Sequence, residues 1–208
     1  MSSARYFLDV DALCKLAHWN ILPILPDLLG CQWPDISTVA SMRYRAAASV
    51  IKPDAKLFHT QSAASTALRC IERMIPAGVP EPELMATLSD IPQIDPGEAV
   101  LMSVTASHPQ GIFITGDKRA LEALSRHPAR ARLAGKIMCI EQMVKRCLDV
   151  KGREWLLANI CPNRARDKAV SMVLGSGCDA PVESLMEGLD SYINQILTMS
   201  APTLLAEV

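Results

Sequence analysis

Gly111-Ile-Phe-Ile-Thr-Gly-Asp-Lys-Arg-Ala-Leu121 holds the fold in miniature. Ile112 to Thr115 are β-branched or aromatic, the types that suit a strand. Gly116 and Asp117 halt the run, and a helical stretch follows from Lys118 to Ser125. Arg5-Tyr-Phe-Leu-Asp-Val-Asp-Ala-Leu13 repeats the layout: a short buried strand running into an acid, then a helical run over Ala12–His18. Ile36-Ser-Thr-Val-Ala40 reads as another strand, leading to a helix through Met42–Val50. Lys136-Ile-Met-Cys-Ile140 reads as the last, followed by a helix from Glu141 to about Val150.

Between them, Pro23, Pro26, Gly30 and Pro34 break up the stretch from Asn20 to Asp35. A long helix is predicted over Ala55–Ile75, ended by Pro76 and Gly78. A proline-punctuated loop then holds a short helix near Glu83–Leu88, and a helix spans Pro96–Ala106. Strands alternating with helices predict an α/β fold: three layers, α/β/α, around a central, mostly parallel sheet. Beyond Val150 only helical patterns occur, with Leu185, Leu189, Ile193, Ile196 and Leu197 at helical spacing. The expected organisation is an α/β domain over 1–150 and a helical C-terminal extension over 151–208.

A 208-residue chain that is 50% hydrophobic can bury a sizeable core and is not a disordered polymer. No stretch approaches about 18 consecutive apolar residues, so no membrane span is expected. The start lacks a signal-peptide layout. Seven cysteines, an odd number without paired short spacing, predict reduced thiols in a cytoplasm. The net charge of −1 and an aromatic content of 4% argue at first against a nucleic-acid partner. The total hides a partition, however. Residues 1–117 carry 8 bases and 12 acids (−4), 118–168 carry 13 and 5 (+8), and 169–208 carry no base and 5 acids (−5).

In a parallel α/β sheet, ligands bind beyond the carboxyl ends of the strands. Asp9 and Asp11 lie at the end of the first strand, Asp117 just past the Gly111–Thr115 strand, and Glu98 opens the helix before it in Asp95-Pro-Gly-Glu98. Converging carboxylates without cysteine or histidine suit hard cations such as Mg²⁺ or Mn²⁺. Each acid also has a structural reading as a helix cap: Asp11 precedes a helix, Asp95 and Glu98 have the layout of a capping box, and Asp117 precedes a helix. The two roles are compatible, and capping alone does not explain Asp9 at the end of an apolar strand.

The set Phe7-Leu-Asp-Val-Asp-Ala-Leu13, Asp95-Pro-Gly-Glu-Ala-Val-Leu101 and Phe113-Ile-Thr-Gly-Asp-Lys-Arg-Ala-Leu121 resembles the PIN-domain family over about residues 5–145. These are metal-dependent ribonucleases, many of them toxins of toxin–antitoxin pairs. The resemblance implies RNA as substrate, an antitoxin or other inhibitor protein as partner, and Asp9, Glu98 and Asp117 holding Mg²⁺ or Mn²⁺. It implies metal-assisted phosphodiester hydrolysis. Asp11 takes the place of a polar residue two after the first aspartate, with Thr115 and Lys118 flanking the third acid. Many members carry another acid in the helix after the second strand; Ser41-Met-Arg-Tyr-Arg-Ala-Ala-Ala48 has none, which leaves Asp11 or Asp95 to compensate. A copy that binds RNA or a partner without catalysis is the alternative.

Asp9-Val-Asp11 also resembles the first motif of haloacid-dehalogenase-type phosphatases, with Asp9 as nucleophile and Asp11 as general acid/base. Against it, Ala12 and Leu13 stand where that family has Gly and Thr, and Glu141 is a single acid where a pair is expected. Arg119, Arg126, Arg130, Arg132 and Lys136 follow the third acid and could hold RNA phosphates or form a solvated face. Arg43 and Arg45 offer the same choice. The acidic last helix has three possible docking surfaces: its own basic segment, a second copy in a homodimer, or an inhibitor. Cys14 and His18, four apart, lack a second ligand pair and read as core.

Overall fold

The computed structural model describes residues 5–199 and 204–207. β1 (Arg5–Leu8) runs into α1 (Val10–His18), and the proline-broken stretch contains α2 (Leu25–Leu29) between two 3-10 turns. β2 (Ile36–Thr38), α3 (Ser41–Ile51), α4 (Gln61–Ile71), β3 (Ile75–Pro76), α5 (Pro82–Ser89) and α6 (Pro96–Ser107) follow. Then come β4 (Gly111–Thr115), α7 (Lys118–Ser125), β5 (Ile137–Cys139), α8 (Ile140–Lys151), α9 (Arg153–Ile160), α10 (Lys168–Leu174) and α11 (Val182–Met199). The fold is mixed α/β, 63% helical, with helices flanking a five-stranded sheet in which every pair is parallel.

The strand order is β3-β2-β1-β4-β5. The chain winds outward through β2 and β3, returns to the centre at β4, and continues to β5 on the other side. The switch point between β1 and β4 opens a crevice at their carboxyl ends. Register follows the period-2 rule. Leu8 and Ile114 face one core cluster, while Phe7 and Phe113 face the other.

Three features depart from the expectations. The helix over 55–75 is shorter, because Thr60 caps α4 by accepting the Ala63 N–H at 3.2 Å, leaving 52–60 as turns. Its expected last residue, Ile75, instead opens β3, a two-residue edge strand paired to β2, where a proline is tolerated. Cys161 and Cys178 form a disulfide, so the thiols are not all reduced; the fold-back after α10 brings together residues 17 apart, which linear spacing does not reveal. Finally, Leu204–Ala206 lie along β5. Ile137 donates to the Leu204 carbonyl at 3.0 Å, and Ala206 donates back to Ile137 at 2.7 Å.

The helices after residue 150 share the core of the sheet. Leu156, Ile160, Val170, Leu174, Leu185 and Leu189 belong to the same cluster as Leu8, Leu16 and Ile114. The Trp19 indole donates to the Asn163 carbonyl at 3.0 Å, and Asn163 donates to the His18 carbonyl at 3.1 Å. Of the expected stripe on α11, Leu185, Leu189 and Ile196 are buried while Leu197 remains exposed. The acidic helix therefore docks on its own chain, and Lys145 pairs with Asp190 at 2.5 Å. No helix among the described residues is long and apolar enough to cross a membrane.

Candidate active site at the sheet switch point

β1 ends at Leu8, and the next residue turns the chain into α1. The Asp9 N–H still donates to the Ile114 carbonyl at 3.0 Å, which keeps the acid in register with β4. Its carboxylate then caps α1, accepting the N–H groups of Val10 at 2.6 Å and Asp11 at 3.3 Å. Asp117 stands in the same relation to β4 and α7, accepting the N–H groups of Arg119 at 2.8 Å and Ala120 at 3.1 Å. Thr115 links the two. Its buried hydroxyl donates to Asp9 Oδ2 at 3.4 Å and accepts the Asp117 N–H at 3.1 Å. Thr38 braces the end of β1 by donating to the Leu8 carbonyl at 2.9 Å.

Glu98 arrives from α6 through a complete capping box. Its Oε2 accepts the Asp95 N–H at 2.9 Å, while Asp95 accepts the Glu98 N–H at 2.8 Å. Asp9, Glu98 and Asp117, from three separate segments, line one cavity of about 740 Å³ together with Asp11, Asp95, Arg45 and Lys56. Asp9 and Glu98 are each only 3% exposed. Burial, reinforced by the charge of Asp11, pushes the Asp9 carboxyl up to about 7. Burial, reinforced by Asp9 and then Asp95 and Asp117, pushes Glu98 up to about 8. These are carboxyl groups held near protonation at neutral pH by burial first and by the charge of neighbouring acids second.

Asp11 is placed differently. Its Oδ2 pairs with Lys15 at 2.6 Å, and Lys15 also pairs with Asp167, the N-cap of α10, at 2.8 Å. Burial alone would lower the Lys15 pKa; Asp11 and Asp167 outweigh it and raise the value. Gly116 packs directly over this arrangement, since a Cβ there would lie 2.7 Å from Lys15 Nζ and 2.9 Å from Asp11 Oδ2.

The expected cations separate into distinct places. Arg45 lines the acid cavity, whereas Arg43 turns to Glu72 at 3.7 Å. Lys118 Nζ lies 2.6 Å from Oε1 of the fully buried Glu141, off the axis of a good hydrogen bond, and Arg119 is exposed. Arg126, Arg130, Arg132 and Lys136 line neither this cavity nor its neighbour. Arg126 pairs with Glu122 and Arg132 with Glu81; Arg130 donates to the Ser125 carbonyl. Lys136 caps the end of α6 through the carbonyls of Thr105, Ala106 and His108. Lys56, Lys15 and Asp167 are the site residues that sequence reasoning missed. Lys15 carried one local signal, its place on the predicted helix four residues after Asp11; Lys56 and Asp167 carry no local motif, and only folding brings them to the rim.

Among the described residues, no three His, Cys, Asp or Glu side chains are gathered tightly enough to hold a metal ion as they stand. The cause is visible in the caps: each of the three carboxylates is drawn toward its own helix N-terminus. Donor chemistry nevertheless fits a hard cation. All three groups are oxygen donors. Each carboxylate offers about four lone-pair sites, and Glu98 Oε1 lies outside its capping bond. The chain matches no family model, no curated protein and no solved structure.

Proposed function

We propose that the chain is a PIN-like endoribonuclease, dependent on Mg²⁺ or Mn²⁺, that hydrolyses phosphodiester bonds of RNA in the cavity at the switch point. The observation that carries this reading is the pair of buried carboxyls, Asp9 and Glu98, raised to about 7 and 8 beside Asp117 in one cavity. Such a site favours a bound cation, because a cation offsets the burial and, secondarily, the mutual repulsion that now keep protons on. Asp9, Glu98 and Asp117 would hold it. Bound there, the cation supplies Lewis-acid polarisation of the phosphate and a nucleophile at neutral pH.

The chain's own residues supply the rest. Thr115 fixes the orientation of Asp9 relative to Asp117. Arg45 and Lys56, on the wall of the same cavity, are the cations available to substrate phosphates. Asp11, held on Lys15, braces the rim, and this engagement favours the nuclease reading over a phosphatase that needs Asp11 free for proton transfer.

The test is cleavage of a labelled RNA with Mn²⁺. The expected result is loss of cleavage in Asp9→Asn and in Asp117→Asn, with both variants retaining cooperative unfolding. Equal cleavage by wild type in excess chelator would overturn the reading.

A further inference from the structure

A second cavity, of about 830 Å³, adjoins the first; Asp11 and Asp117 line both. One wall is the start of α7, with Lys118 and Arg119. The opposite wall belongs to the C-terminal helices: Lys168 and Met172 of α10, Tyr192 and Gln195 of α11. Four cations, counting Lys15, face three carboxylates, Asp11, Asp117 and Asp167. Lys15 is taken up by two of those acids; of the other three cations, Lys118 pairs with Glu141 and Arg119 with Asp117. Lys168 is exposed and has no ion pair among the described residues. The Arg119 side chain is 84% exposed, and Asp117 lies 3.5 Å away. Lys118 Nζ sits 4.2 Å from the Tyr192 ring centroid, held between the aromatic ring and Glu141.

The same cavity has an apolar side. Met172 is 64% exposed although its helix neighbours Val170 and Leu174 are buried, and the Tyr192 hydroxyl donates to its sulfur at 3.4 Å. A half-buried aromatic ring, an exposed thioether and a side-chain amide beside the exposed Arg119 and Lys168 and the ring-facing Lys118 form the complement of a nucleotide. Cations meet the phosphate, the apolar pair meets the base, and Gln195 can meet a base edge. The concavity admits a base that stands out from its strand, whereas a base stacked within a duplex could not enter.

We infer that this second cavity binds one nucleotide of a single-stranded RNA, with its phosphate on Lys118, Arg119 and Lys168 and its base against Tyr192 and Met172. The inference rests on the nuclease reading for the course of the strand, which continues past Asp117 into the acid cavity. The C-terminal helices then form half of the substrate groove.

The probe is a fluorescein-labelled six-nucleotide single-stranded RNA, titrated by anisotropy with the full chain in EDTA. Lys168→Glu and Tyr192→Ala should each weaken binding by about tenfold, the size of one base stack or charge contact. Lys168→Glu should also reduce the slope of log K against log salt by about 0.7. An acid suits the first turn of α10, so this variant should fold. Tyr192→Phe keeps the ring and should bind like wild type. Lys151→Glu, at the far end of α8, should change nothing. Unaltered binding in both cavity variants, or equal weakening by Lys151→Glu, overturns the inference. Pocket variants that lose RNA while no protein cleaves it leave this site standing and remove the nuclease. Cleavage abolished by Asp9→Asn, with undiminished RNA binding in the pocket variants, removes this site alone.

Discussion

Asp9 and Glu98 give the molecule a pH signature that can be worked out in sign. Their carboxyls lie at about 7 and 8 in the folded chain, against ordinary values of 3.8 and 4.5. Between about pH 4 and pH 8 the native state therefore holds protons that the unfolded chain has released. Stability is full at the acid end of that window and falls as pH rises through the folded values. In chelator, the melting temperature should drop from pH 5 to pH 8, and Mn²⁺ should restore much of it at pH 8. Asp9→Asn should flatten the profile and raise the pH 8 melting temperature by about 5 °C, the shift that ~2 kcal/mol gives a domain of this size. A profile that rises toward pH 8 in chelator would contradict the buried, uncompensated state of these acids. At this scale the three acids were legible because Asp9 and Asp117 sit where a strand pattern stops and Glu98 sits in the capping-box layout that opens a helix. Lys15 and Asp167 were not, since 152 residues separate two groups that only folding joins.

At the scale of elements, the strands were readable because β1 and β4 alternate between two apolar faces, and an acid marks where each ends. The helix over 55–75 was misread because composition cannot show that Thr60 takes the cap, nor that Ile75 finds an open edge beside β2. The turn from β4 to α7 illustrates how an element junction is set by packing. Gly116 leaves room for Lys15 and Asp11, and a side chain there would displace an ammonium held by two carboxylates. Gly116→Ala should cost about 1–3 kcal/mol, as overpacking does. In a Lys15→Met background the same change should cost much less, because the displaced pair is already gone. Additive costs in urea denaturation of the two single variants and the double would show that the glycine answers to something other than this ion pair.

At the scale of the whole molecule, the charge partition acquires a physical meaning. The +8 segment over 118–168 does not form one basic face. Arg126, Arg130, Arg132 and Lys136 are taken up by local acids and carbonyls, while Lys118, Arg119 and Lys168 meet at the second cavity. The −5 segment lies partly on α11, which packs on the same chain. Sequence reading located the helical extension but could not tell whether it stands apart, because an apolar stripe records a need for burial and not the surface that meets it. In the fold, Leu156, Ile160, Val170, Leu174, Leu185 and Leu189 complete the cluster that covers one face of the sheet. Burying such side chains contributes about 1.5–3 kcal/mol each before entropy is counted, against a typical net stability of about 5–15 kcal/mol. Residues 1–150 alone should therefore lack a cooperative thermal transition and should bind a hydrophobic dye such as ANS, because Leu16 and Trp19 would lose their cover. A sharp, reversible melt of that fragment, with no dye binding, would show that the sheet and its first eight helices are self-sufficient. The C-terminal helices would then bear on the substrate groove and not on the fold.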